Sequence, residues 1–192
     1  MIEAELKARV RAPEAVMAQL DKRATARVEV YRDTYYDSPD GSLEKADREL
    51  RIRAVHGTDS TRTVLTFKGA AVDEASRSKP EHETVLADAD EAHAILCGLG
   101  HVPVIAFEKR CRNYEFRARG RQLLATLVRV PEIDGTFLEV EALVDEADVD
   151  AALEDIRATL TDLGVDTRDL TTETYTGAVA AQRDRTPNRS AG

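Results

Sequence analysis

A chain of 192 residues with 42% hydrophobic content can bury one sizeable core without staples, and it reads as a single domain. Its net charge of −9 excludes a general nucleic-acid binder, which would present a basic surface. No stretch approaches the roughly 18 apolar residues of a membrane span, and acids stand among the first residues, so a soluble protein of the cytoplasm is expected.

The opening, Met-Ile-Glu-Ala-Glu-Leu-Lys-Ala-Arg-Val at 1–10, alternates polar and apolar residues. As a strand it puts Glu3, Glu5 and Lys7 on one face and Ile2, Ala4, Leu6 and Ala8 on the other. Pro13 starts a helix that ends near Arg23, striped by Val16, Met17 and Leu20. Residues 27–37 are rich in β-formers, and Ser38-Pro39-Asp40-Gly41 closes them with turn chemistry. Strands follow over 47–55, with Arg51 and Arg53 on one face, over 61–69, with Thr66 and Lys68 together, and over 79–87, grouping Lys79, Glu81 and Glu83. Pro80 places the start or an edge of that strand. Asp90 is read as the cap of a short helix striped by Ala92, Ile95, Leu96 and Leu99 and stopped by Gly100.

A long strand over 104–118 turns at Gly120 into an apolar return over 122–129, and a further strand over 136–143 carries Glu139 and Glu141 on one face. An amphipathic helix spans roughly 147–164, with Val149, Leu153, Ile156, Leu160 and Leu163 at helical spacing. A short helix follows Tyr175. The domain is expected to cover 1–182, and 183–192 reads as a disordered tail. Cys97 and Cys111 are too few for a disulfide framework and read as reduced thiols. His56, His82, His93 and His101 show no zinc-like spacing with either of them.

Alternation leaves six acids (Glu3, Glu5, Glu81, Glu83, Glu139, Glu141) and six bases (Lys7, Arg51, Arg53, Lys68, Lys79, Lys109) opposite the apolar face. On a flat open sheet they would form its solvated side. Eight strands strain an open sheet, however, and three amphipathic helices are available to cover an apolar outside. The expected fold is therefore α+β: an eight-stranded antiparallel closed barrel with helices outside and the charges in its lumen. A lumen of both signs is costly to desolvate for structure alone. A triphosphate with divalent metal explains both, since Arg and Lys neutralise phosphoryl oxygens while carboxylates hold Mg²⁺ or Mn²⁺.

The same residues resemble a known family. Glu-x-Glu-x-Lys at 3–7, Leu-Arg-Ile-Arg at 50–53, Leu-Thr-Phe-Lys-Gly at 65–69, the pair Glu81 and Glu83, Glu-Lys-Arg at 108–110 and Phe-Leu-Glu-Val-Glu at 137–141 are similar, in order, to the CYTH superfamily. That family groups class IV adenylyl cyclases with thiamine and inorganic triphosphatases on an eight-stranded triphosphate tunnel. Two departures stand out. The family's Lys-x-Arg pair on the sixth strand becomes Lys109 and Cys111, with Arg110 or Arg112 left to compensate. Its seventh-strand acid is missing between Gly120 and Pro131, where Val128 or Arg129 occupies the place.

The roles that residues and resemblance together imply are metal ligation by Glu5, Glu139 and Glu141 with Glu3 sharing, and phosphate binding by Arg51, Arg53, Lys68, Lys79, Lys109 and Arg112. Lys7 is placed at the reacting centre, with Tyr35 assisting or packing. Glu81 and Glu83 either join the metal ligands or order Arg51, Arg53 or Lys79 through ion pairs. Tyr175 reads as packing. The implied activity is that of a phosphorus–oxygen lyase converting ATP to cyclic AMP and pyrophosphate. The alternatives are hydrolysis of tripolyphosphate or thiamine triphosphate, and binding of nucleotide or polyphosphate without turnover. The resemblance also implies a homodimer, and nothing in the sequence points to a nucleic-acid or membrane partner.

Overall fold

A computed structural model describes residues 1–73 and 76–185. Eight strands, β1 (Ile2–Val10), β2 (Arg27–Asp37), β3 (Glu49–His56), β4 (Thr61–Lys68), β5 (Lys79–Leu86), β6 (Val102–Ala118), β7 (Arg121–Arg129) and β8 (Thr136–Val144), form a ring in the order β1-β5-β4-β3-β2-β6-β7-β8. Every ladder is antiparallel. Five α-helices accompany them: α1 (Pro13–Asp21), α2 (Ser42–Lys45), α3 (Ala89–Gly98), α4 (Val149–Asp162) and α5 (Tyr175–Arg185).

The first strand joins the ends of the sheet. β1 pairs with β8 along its full length, from Ile2↔Val144 to Val10↔Thr136, but meets β5 only through Ile2↔Pro80 and Glu3↔Lys79. Beyond Glu3 its free side is taken up by the segment before α5: Ala8 bridges Leu170, and the Thr171 N–H donates to the Lys7 carbonyl at 2.8 Å. Backbone groups that β5 leaves unpaired thus find partners there. The β6–β7 hairpin turns through Arg119 (φ 51°) and Gly120 (φ 80°), two successive left-handed residues of the kind that match strand twist.

The main apolar core lies outside the ring. Ile2, Ala4, Leu6 and Ala8 of β1 and Leu138, Val140 and Ala142 of β8 pack with Val149, Leu153, Ile156 and Leu160 of α4 and with Val16 and Leu20 of α1. At about 25 cal/mol per Å² of apolar surface, burial under α4 holds the ring in shape while its inner face stays charged. Among the described residues no helix is long and apolar enough to cross a membrane.

Several expectations shift. The turn after β2 contains α2, whose first N–H groups are held by Asp37: its carboxylate accepts from Ser38 at 2.6 Å, Leu43 at 2.8 Å and Glu44 at 3.0 Å. The cap of α3 is Asp88, which accepts from Asp90 and Glu91, and not Asp90. Of that helix's predicted stripe only Leu96 is buried, while Ile95 and Leu99 are exposed. α5 runs to Arg185, and within it Arg183 donates to Glu132 at 2.7 Å and to the Ala106 carbonyl at 2.7 Å. The remainder of the expected tail, 186–192, lies outside the described residues.

Candidate active site

All twelve charged side chains grouped by alternation line one cavity of about 570 Å³ inside the ring. The register explains why. Glu5 lies opposite Glu141 and Lys7 opposite Glu139 across β1 and β8, and Arg51 lies opposite Thr66 across β3 and β4, so one choice of face carries around the ring.

The acids gather on β1 and β8. Carboxylate oxygens of Glu3, Glu5 and Glu141 lie within 4.8 Å of one another. Burial, followed by the charges of Glu139 and Glu3, pushes the Glu5 pKa up to about 8. Glu141 is raised well above its usual range by burial and by Glu3 and Glu5. Burial acts on Glu3 in the same sense, but the Lys68 ammonium, which donates to its carboxylate, outweighs it and leaves Glu3 lowered. Three carboxylates this close cannot all ionise without a compensating cation. Hard oxygen donors converging in this way fit Mg²⁺ or Mn²⁺.

The bases face them from β3, β4 and β6. Asp33 of β2, buried and inward-facing, accepts from Arg53 through Nε at 2.6 Å and Nη2 at 2.8 Å, and lies 3.9 Å from Arg51 and 3.8 Å from Lys109. Burial would raise the Asp33 pKa, but these cations hold it well below the usual carboxylate range. Arg51 donates to Thr66 Oγ1 at 3.2 Å, and its Nε is buried without a partner.

Glu81 and Glu83 face β4. Glu81 lies 3.9 Å from Lys68, and Glu83 accepts from the Thr66 hydroxyl at 3.1 Å. Neither belongs to the carboxylate trio, and Glu139 stands beside it. Lys79 is held by Glu49 at 2.7 Å and Asp47 at 3.1 Å. Tyr35 stacks on Phe107 with 5.7 Å between centroids, and it also lines the cavity, its ring 5.9 Å from the Arg51 guanidinium.

Arg112 is not among the residues that line the cavity. Strand alternation in β6 turns Lys109, Cys111 and Asn113 inward, so Arg112 points out of the ring, where its Nε lies 3.4 Å from the Tyr114 hydroxyl. Arg110 likewise faces out and pairs with Glu108 at 3.4 Å. Neither replaces an arginine at Cys111, whose buried thiol is pushed up to about 12 by burial. On β7 the buried Val128 takes the inward position and the exposed Arg129 the outward one. Thr126, also inward, donates to Asn113 at 2.9 Å, and Asn113 in turn donates to Glu29 at 2.6 Å. Cys111 and Val128, register partners across β6 and β7, thus put no charge where the family resemblance implies it.

Sequence reasoning missed Asp33 and Glu29, and it named Tyr175 only as packing. The first two share the parity of Tyr31 and Tyr35 on β2, so alternation held the signal. Tyr175, read from the sequence as packing, reaches the cavity because the segment before α5 is bonded to β1. Its ring lies 4.6 Å from the Lys7 ammonium and 5.0 Å from that of Lys109.

Comparison with known proteins agrees with this geometry. A family model described as the CYTH domain matches residues 1–175. A protein of Methanocaldococcus jannaschii named "Putative adenylate cyclase" is 26% identical over 178 residues, spanning 91% of this chain and 97% of the relative. The solved structure of the PH1819 protein of Pyrococcus horikoshii superposes with a TM-score of 0.80 at 26% identity, covering 94% of this chain and 99% of that one. A Hippeastrum protein, described as a "Putative adenylyl cyclase" with a dominant triphosphatase activity, shares the fold with a TM-score of 0.65 at 16% identity, covering 94% and 95%. With a family model spanning most of its length and the inward charge pattern in place, the chain belongs to the CYTH family.

Proposed function

We propose that the cavity binds a nucleoside triphosphate with Mg²⁺ or Mn²⁺ and converts ATP to cyclic AMP and pyrophosphate. One observation carries the triphosphate reading: a carboxylate trio and a wall of buried cations face the same cavity, and the wall includes an Arg51 Nε–H with no protein partner. A buried donor left bare is unfavourable by about 1–3 kcal/mol, so an acceptor supplied by ligand accounts for it. The cyclase reading is supported by the name of the Methanocaldococcus jannaschii relative.

Arg51, Arg53, Lys68 and Lys109 neutralise the phosphoryl oxygens, and Asp33 holds three of these four in place. Glu3, Glu5 and Glu141 would hold the metal, with Glu139 beside them; when bound it supplies further charge neutralisation at the phosphates. Lys7, opposite Glu139, orients the reacting phosphate. In the cyclase reaction the ribose 3′ oxygen bonds to the α-phosphorus as the bond to the bridging oxygen of pyrophosphate breaks. The 3′ hydroxyl proton passes to a cavity carboxylate or to solvent.

A second reading is hydrolysis at the terminal phosphorus. It is supported by the activity described for the Hippeastrum protein and by the uncharged pair Cys111 and Val128, which departs from the family pattern. Incubating pure protein with ATP or tripolyphosphate and either metal separates the two. Cyclic AMP with pyrophosphate supports the lyase, and orthophosphate supports the hydrolase. Binding without turnover would leave a nucleotide- or polyphosphate-binding module, and neither binding nor turnover would sink the reading.

A further inference from the structure

We propose that His93 and Cys97 of α3 form a bidentate site for Zn²⁺ or a cation of similar softness on the outside of the ring. The site is separate from the charged cavity, which neither residue lines, and it does not depend on the triphosphate reading.

The two residues stand four apart, so one helical turn brings them to the same face of α3. Two ligands are fewer than a structural zinc site supplies, and the sequence therefore carries no finger-like signature. The folded helix is what pairs them. Cys97 Sγ lies 3.6 Å from His93 Nε2. A zinc ion at about 2.3 Å from sulfur and about 2.0 Å from nitrogen, with a tetrahedral angle between them, needs those atoms about 3.5 Å apart. The pair meets that requirement with both side chains exposed, so an ion can reach it. As a hydrogen bond the same contact is weak, since a thiol is a poor donor.

His93 is also oriented as a metal-binding imidazole must be. A metal on Nε2 requires the ring hydrogen on Nδ1, and the Tyr36 hydroxyl oxygen stands 2.8 Å from Nδ1 to accept it. Tyr36 is buried on β2, its ring tilted against the imidazole with 5.7 Å between centroids. α3 is fixed without help from the pair, by Leu96 in its cluster with Tyr36, Leu50 and Ile52 and by the Asp88 cap. The ligands thus sit on a rigid element with the orienting group in place. On binding, Cys97 gives its thiol proton to solvent and ligates as the thiolate. Thiolate with imidazole favours Zn²⁺, whereas the cavity carboxylates suit Mg²⁺ or Mn²⁺. Two positions of the tetrahedron remain for water.

The test titrates the phosphine-reduced protein with Co²⁺ and follows the near-ultraviolet thiolate-to-cobalt charge-transfer band, which carboxylate ligands do not produce. The wild type should develop the band, and Zn²⁺ should bleach it. Cys97→Ser should abolish it, and His93→Ala should need at least about tenfold more Co²⁺ to reach half the signal. Tyr36→Phe should weaken binding about tenfold through loss of the orienting hydroxyl, and Glu5→Gln, in the cavity, should leave the band unchanged. Thermal melts establish that each variant is folded. No band in the wild type, a band that survives in Cys97→Ser, or wild-type affinity in His93→Ala would overturn the site. Wild-type affinity in Tyr36→Phe would overturn the orienting role given to Tyr36.

Discussion

Glu5 and Glu141 are register partners on β1 and β8, and both carboxylates turn into the cavity to meet Glu3. Their proximity gives the metal-free protein a definite pH dependence. Burial and mutual repulsion raise Glu141 above its ordinary value of 4.5 and Glu5 to about 8, so between these limits the folded protein holds protons that the unfolded chain releases. Stability in EDTA should therefore fall as pH rises from about 4.5 to about 8. Thermal melts at pH 6 and pH 8 check this, and Glu5→Gln should flatten the trend. Mn²⁺ should lift the melting temperature most at the higher pH, where protons no longer compete for the carboxylates.

Asp33 has the opposite sign. Its pKa is held down by Arg53, Arg51 and Lys109, so its contribution is present above the ordinary value of 3.8 and is lost as pH falls below it. Asp33→Ala leaves three buried cations short of their shared acceptor and should destabilise the fold by about 3–5 kcal/mol in urea denaturation. Tripolyphosphate should recover part of that loss by neutralising the same cations. A variant as stable as wild type would refute the role given to Asp33.

Arg112 and Lys68 provide a paired test of inward and outward charge. Lys68→Ala or Glu139→Gln should reduce turnover by about 100-fold or more, since each removes a charge facing the cavity. Arg112→Ala, on the outer face, should leave turnover within about twofold and stability within about 0.5 kcal/mol. Initial rates with tripolyphosphate and ATP decide it, and a large loss in Arg112→Ala would contradict its placement.

The two cysteines should separate chemically. Cys97 is exposed, while Cys111 is buried and its thiol is pushed up to about 12. A thiol-reactive dye should label one group per native chain and two after denaturation. Cys97→Ser should abolish the native signal.

Much of this site was legible before folding because a strand has a period of two. Once Glu3 and Lys68 are placed inward, parity assigns Glu5, Lys7, Thr66 and the rest, and it also turns Arg112 away. Legibility failed where position came from elsewhere. Ile95 and Leu99 lie on the predicted stripe of α3 but stay exposed, since a helical period names a stripe and not the surface it meets. Asp37 and Asp88 hold helix starts through side-chain hydrogen bonds that composition did not single out.

By itself the sequence determined which charges share a face, because alternation is a local property of extended backbone. It also carried the family motifs that make the chain recognisable. Only the tertiary structure decided which charges satisfy one another: that Asp33 gathers Arg51, Arg53 and Lys109, that Lys79 is taken by Glu49 and Asp47, and that three glutamates converge while Glu81 and Glu83 stand apart. Ring closure brings distant strands within a few ångströms, and at that range Coulomb and desolvation energies depend on distance and burial, which no local pattern encodes. Tyr175 is the plainest case, carried to the cavity by hydrogen bonds between its preceding segment and a strand more than 160 residues earlier.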